Sequence, residues 1–276
     1  MEVVMLKTVV ENLVFVAEFL GIVFATFVVA YLFEKIANKK SGYTGPIITT
    51  QKIAMVGLFG AISTILMMFE FPVPFAPTFY KLDFSELPVM IITFAFGPVA
   101  GILTEFIKIL LKVMFRSTTT AFVGELANFC VGASLILPSS IIYIFSKTRK
   151  GALLGSIAGT LTMTVFGSLF NALYLLPKFA QMYGMDLSAL VGMGSAINPA
   201  VNSIQTFALM IVAPLNLLKG CMISVLTIAL YKKFSPILKQ GNSFREERER
   251  AKNCSAAVFG GGFFLRFSCF FYIIFV

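Results

Sequence analysis

The sequence predicts an all-α membrane protein, a bundle of six membrane-spanning helices with an additional N-terminal hydrophobic helix. Of its residues, 58% are hydrophobic and only 13% charged, and the mean hydropathy of +0.90 is far outside the range of soluble domains. The apolar residues fall into repeated runs, and a helix needs about 20 residues to cross a hydrocarbon core of about 30 Å. Period-two alternation is absent, so closed helices rather than a barrel satisfy the backbone in lipid.

Residues 8–33 form the first apolar run, with Glu11 and Glu18 near its start and the basic cluster Lys35, Lys39 and Lys40 after it. Positive charge that follows the run, without a small-residue cleavage site, reads as a signal-anchor helix. Residues 41–50 are a linker. The core spans follow at 52–69, 88–96, 99–115, 121–145, 152–176 and 204–231, with a Gly97-Pro98 break after the short second one and loops at 117–120 and 177–203. The chain thus divides into 1–40, an additional helix with its basic flank; 41–236, a six-helix domain; and 237–276, a charged linker and an atypical hydrophobic tail.

The stretch from Phe69 to Pro88, FEFPVPFAPTFYKLDFSELP, carries Pro72, Pro74, Pro77 and Pro88. Prolines this close cannot continue a helix, so an ordered non-helical loop is expected. Its Phe and Tyr content makes it too apolar for a solvated connector, and it reads as a lid over a site built by its neighbours. Asp83 and Glu86 have the spacing of a capping pair for the next helix, with Asp83 at the N-cap.

Basic clusters at 35–40, 147–150 and 232–239 alternate correctly if all three face the cytoplasm, which puts the loop outside. Lys112 and Arg116 run against this orientation. The formal charge of +9 is therefore a matter of topology, and no nucleic-acid partner is inferred. The chain has no histidine, which removes Ser-His, Cys-His and His-metal chemistry; no metal site is expected. Cys130, Cys221, Cys254 and Cys269 have no motif spacing and read as small apolar filler. No GxxxxGK[ST] motif occurs, so the chain carries no P-loop ATPase of its own.

Polar side chains inside apolar spans are costly and mark a site or a path. Here they are Glu125 and Asn128, Asn171, and the pair Asn216 and Lys219. Counted from the outer ends at 1.5 Å per residue, Asn128 and Asn171 lie roughly 10 Å deep and Asn216 roughly 18 Å, a shelf one planar ligand could span. Carboxamides offer both donors and an acceptor while lysine only donates, which suits a flat heteroaromatic edge of carbonyls and N–H groups and does not suit hydrolysis. The plain alternative is that these asparagines tie helices together. Lys219 has no carboxylate on its own helix and must find acceptors elsewhere or lose its proton. Glu105, Lys108, Lys112 and Arg116 form one helical stripe, in which Glu105 and Lys108 can pair. Gly57, Gly60 and Ala61 give a small-residue face that admits a neighbouring helix closely.

In order, FPVPFAP with KLDFSELP, GPVAGILTEFIK, GELANFCVGAS, KTRKGALLG, NALYLLPKF and APLNLLKG resemble the riboflavin-binding S components of energy-coupling factor (ECF) transporters, over about residues 50–236. The resemblance implies a six-helix S-component bundle that is no enzyme and needs no cofactor, riboflavin being its cargo and FMN a second candidate. It implies flavin contacts at Asn171, Asn216 and Lys219, with the loop around Tyr80, Lys81 and Leu82 closing over the ring; position adds Asn128 and Glu125. It implies partners too: a T component driven by two ABC-type ATPases in a bacterial cytoplasmic membrane, docked through a patch similar to Gly57, Gly60 and Ala61. Alternatives are an S component for another vitamin, or a self-sufficient secondary transporter, for which inverted repeats and coupling carboxylates would be needed.

Overall fold

The computed structural model describes residues 2–116 and 122–230; the 117–120 turn, the basic cluster at 232–239 and the 237–276 tail lie outside the described residues. Helix α1 (Glu2–Lys40) leads into α2 (Thr50–Met68). The loop then forms a minimal antiparallel pair, β1 (Phe71–Pro72) with β2 (Lys81–Leu82), in the register Phe71 opposite Leu82. Next come α3 (Glu86–Phe96), α4 (Pro98–Arg116), α5 (Val123–Phe145) and α6 (Arg149–Phe170), then α7 (Leu176–Tyr183), α8 (Leu187–Ser195) and α9 (Ile204–Leu230).

Among the described residues, five segments are long and apolar enough to cross a membrane: Phe15–Lys40, Thr50–Met68, Val123–Phe145, Arg149–Gln181 and Ile204–Leu230. The other two core helices depart from that standard for visible reasons. Helix α3 has only 11 residues, and α4 carries the charged stripe. The all-α membrane fold is thus as expected, with a core of α2 to α6 and α9 preceded by α1.

Local chemistry sets the ends of these helices. Thr49 and Thr148 accept hydrogen bonds from the backbone N–H of Lys52 and Gly151, and Ser203 and Thr206 form a reciprocal capping box at the start of α9. Between α3 and α4, Gly97 takes φ +95°, a left-handed conformation that glycine reaches without steric cost, and Pro98 opens α4, where its missing N–H is harmless.

Two stretches differ from expectation. The span expected to end at Leu176 continues to Gln181, and part of the 177–203 loop is helical, as α7 and α8. A π-helical turn, Asn171–Leu175, joins α6 to α7, and a second one, Ala208–Val212, interrupts α9. Each is followed two residues later by a proline, Pro177 and Pro214. A proline ring clashes with the carbonyl four residues earlier, here Leu173 and Met210, and widening the turn relieves the clash without ending the helix. The bonds shift accordingly: Leu176 N–H donates to Asn171 O, and Ala213 N–H to Ala208 O.

The main core lies between α1, α3, α4 and α5, where Phe129, Leu126, Ile136 and Val99 are fully enclosed and Cys130 packs as an apolar residue. Helix α1 is part of it: Phe15 and Phe19 are buried, and Phe19 meets Phe129 edge to face. At the end opposite the loop, Glu34 of α1 receives Lys52 Nζ of α2 at 2.5 Å and the Val99 N–H of α4 at 3.1 Å. A carboxylate at a helix N-terminus complements its exposed donors and its dipole. Glu34 is only 2% exposed, so losing its charge removes a counter-ion from a buried ammonium. Glu34→Gln is expected to destabilise the fold by about 3 kcal/mol, read as a lower unfolding temperature in detergent. Adding Lys52→Met should restore much of that loss.

Candidate functional site

The loop end is assembled by aromatic packing. Phe79 stacks on Phe179 and lies 4.7 Å from Tyr80 between ring centroids, and Tyr80 sits 6.1 Å from Phe207. Val73, Ala76 and Leu82 of the loop are buried with Leu176, Leu190, Phe207 and Leu215, so the loop is folded down onto α7, α8 and α9. Its outer edge is polar: Glu70 pairs with Lys81 at 2.6 Å and with Arg116 at 3.4 Å.

Under this lid, Tyr80 Oη donates to Asn171 Oδ1 at 2.5 Å. Asn171 opens the first π turn and is buried. Burial pushes the Tyr80 phenol up, further than its bond to Asn171 draws it down. One turn below Asn171 on α6 is Gly167. A Cβ there would stand 2.5 Å from Asn216 Nδ2, so only glycine lets the α9 carboxamide lie against α6. Asn216 is 5% exposed and its Nδ2 has no hydrogen-bond partner, an exception among buried donors. Asn171 and Asn216 therefore share the seam between α6 and α9.

Lys219, one turn further along α9, finds its acceptors on the other wall. Its ammonium donates to Glu86 Oε1 at 2.9 Å and Asp83 Oδ2 at 3.2 Å. Lys108 of α4 joins them, 3.4 Å from Glu86 and 2.6 Å from Glu105, and donates to Ser85 Oγ at 3.1 Å. The expected pairing of Glu105 with Lys108 is present and wholly buried. The capping role expected for Asp83 and Glu86 is corrected. Ser85 precedes α3 without a side-chain cap, Asp83 Oδ1 accepts from the Ser85 N–H at 2.8 Å, and both carboxylates turn to Lys219, because a buried ammonium outcompetes a neutral N–H for a charged acceptor. Burial alone would raise the Asp83 carboxyl, yet the ammonium groups of Lys219 and Lys108 hold it down at about 2. The stability this gives is full above the ordinary carboxylate range and is lost only as pH falls towards 2.

The remaining predicted residues are more dispersed. Leu82 is buried beneath the loop, while Lys81 is on its exposed edge. Asn128 is half-buried and donates to Gly124 O of its own helix. Glu125 is buried and receives Lys112 at 3.4 Å. Gly57 and Ala61 lie on the open face of α2, but Gly60 turns inward: a Cβ there would meet Ile107 at 2.7 Å, so its smallness serves the α2–α4 contact. An open groove of about 510 Å³ between α8 and the start of α9, lined by Ser188, Ser195, Asn202 and Gln205, contains none of the predicted ligand residues. Among the described residues, no group of three or more His, Cys, Asp or Glu could hold a metal ion.

Sequence reasoning missed the ion network and the π turns. Prolines two residues beyond Leu175 and Val212 were the available signal for the turns. Nothing local announces which carboxylate meets Lys219.

The chain matches known proteins over the region that builds this seam. The family model for the ECF transporter substrate-specific component matches residues 51–231. The riboflavin transporter RibU of Staphylococcus aureus (strain TCH60) is 33% identical over 190 residues, which cover 69% of this chain and 93% of that protein. The riboflavin transporter FmnP of Bacillus subtilis (strain 168) is 29% identical over 196 residues, covering 70% and 96%. A solved structure, described as the S component of a bacterial ECF transporter, superposes with a TM-score of 0.54 at 33% identity and covers 68% of this chain and 98% of its own. With its loop folded over a polar seam in a helical membrane bundle, this chain belongs to the substrate-specific (S) components of ECF transporters.

Proposed function

We propose that this S component captures riboflavin from outside the cell and delivers it to the cytoplasm when docked on a T component driven by two ABC-type ATPases. The observation that carries the reading is the seam beneath the loop, where Asn171 holds Tyr80, the Asn216 Nδ2 lies buried without a hydrogen-bond partner, and Lys219 follows one turn further along the same helix. Donors and acceptors at the edge of an aromatic-lined, water-poor site match the alternating carbonyl and N–H edge of an isoalloxazine ring. Two relatives that the match covers over more than nine-tenths of their own length are riboflavin transporters, which supports the same ligand here.

The protein acts in the bacterial cytoplasmic membrane, with residues 41–236 as its ligand-binding domain. Lys35, Lys39, Lys40, Lys147, Arg149 and Lys150 cluster at the end opposite the loop, and the positive-inside rule turns that end to the cytoplasm. Catalysis has no part in this reading. The open face of α2, with Gly57 and Ala61 among exposed Ile53, Leu58 and Ile65, is the docking face for the T component. FMN is the second ligand to test, because Lys81 and Arg116 at the rim would attract a phosphate ester.

The first experiment is the visible absorption spectrum of protein purified from cells grown with riboflavin. A flavin spectrum that survives gel filtration and is released on denaturation is expected; colourless protein that also ignores added riboflavin in calorimetry would overturn the ligand. Asn216→Ala and Lys219→Ala should each weaken riboflavin binding about tenfold or more, a loss of about 1.4 kcal/mol or more in the binding isotherm. Ala61→Leu should bind riboflavin as the unaltered protein does, yet fail to transport it in vesicles that contain the T component and ATPases.

A further inference from the structure

We infer that Asp83 and Glu86 are positioning residues with divided roles: Glu86 fixes the Lys219 ammonium in the ligand seam, and Asp83 latches the loop onto that same ammonium. The inference rests on the reading of the seam as the flavin site.

A lysine ammonium has three N–H donors, and a free side chain distributes them over many rotamers. Here two are committed, to Glu86 Oε1 and Asp83 Oδ2, which leaves one to meet a ligand carbonyl. The acceptors are themselves held. Asp83 Oδ1 takes the Ser85 N–H, Ser85 Oγ donates to Glu86 Oε2 at 3.3 Å, and Lys108 Nζ donates to Ser85 Oγ and to Glu86 Oε1. Asp83, Ser85, Glu86, Lys108 and Lys219 are all buried, so water cannot substitute for any of these bonds without the loop moving. A contact group whose own partners are fixed gives up less freedom when the ligand arrives.

The two carboxylates differ in what carries them. Glu86 is the first residue of α3, whose apolar face packs into the core, so it stays when the loop lifts. Asp83 follows β2 directly and moves with the loop. Two side-chain bonds therefore tie the loop to residues of the seam, Tyr80 to Asn171 and Asp83 to Lys219. Opening must break both, and once open, Lys219 keeps Glu86 and offers its uncommitted donor to an entering carbonyl. Closure restores the Asp83 bond and traps the ligand.

The test combines riboflavin release, followed by flavin fluorescence, with hydrogen–deuterium exchange of the 69–85 amides, on the full chain in detergent. Asp83→Asn keeps the side-chain size and an acceptor for Ser85 but loses the charge. It should speed release about tenfold or more and raise exchange in the loop without ligand. Asp83→Glu should restore slow exchange. Glu86→Gln should lower affinity chiefly through slower productive association, with loop exchange little changed. If Asp83→Asn does not accumulate, Lys219→Met breaks the latch from the other side and should raise loop exchange in the same way. Riboflavin binding by the unaltered protein, with release and loop exchange unchanged in Asp83→Asn, would overturn the latch. If the unaltered protein binds no riboflavin, the ligand assignment falls instead, and loop exchange alone then decides for or against the latch.

Discussion

An ammonium enclosed in an apolar bundle is the constraint on which this structure turns. Moving such an ion from water into a medium of low dielectric constant costs of order 20 kcal/mol in the idealised limit, and still several after relaxation. Lys219 and Lys108 meet that cost together, through Asp83, Glu86 and Glu105, which come from the loop, α3 and α4. Such a network adds little net stability over an apolar core of the same volume. Its effect is registration: any slip of α9 against α3 leaves a bare charge in a place without water. The loop, the short α3 and the Asn216–Lys219 stretch of α9 are fixed relative to one another for that reason.

The second constraint is the pair of prolines that follow the π turns. Each apolar helix reaches the level of the polar seam and would be broken there by Pro177 or Pro214; the chain instead widens by one residue per turn and continues. Widening re-aims the side chains around it. Asn171 sits at the start of one such turn, and Asn216 and Lys219 follow the other on the same helix, so both walls of the seam are built on displaced helical register. A regular helix would carry the same residues on a different face.

Helix α1 lies outside the region matched by the family model, yet it is not a loose addition to the bundle. Its Phe15 and Phe19 fill the main core, Glu34 ties α2 to the start of α4, and Glu18 accepts from Tyr174 Oη in the π turn that Asn171 begins, at 2.7 Å. Both ends of the bundle are therefore braced by a helix that lies before the residues matched by the family model.

Membrane class, the approximate core spans and the non-helical loop were legible in the chain, because hydropathy and closely spaced prolines act over a few neighbouring residues. Asn171, Asn216 and Lys219 stood out by the same logic, as polar groups where lipid-facing helices carry none. Sequence also required that Lys219 find acceptors away from its own helix. Only the tertiary structure chose them: Asp83 and Glu86 lie 136 and 133 residues away, and no local signal ranks them above Glu105 or Glu125. It likewise turned Gly60 inward against Ile107 while leaving Gly57 and Ala61 open, a difference of helical phase against a neighbour. Periodicity along one helix fixes which residues share a face; which face meets which partner is decided by the packing of all the helices at once.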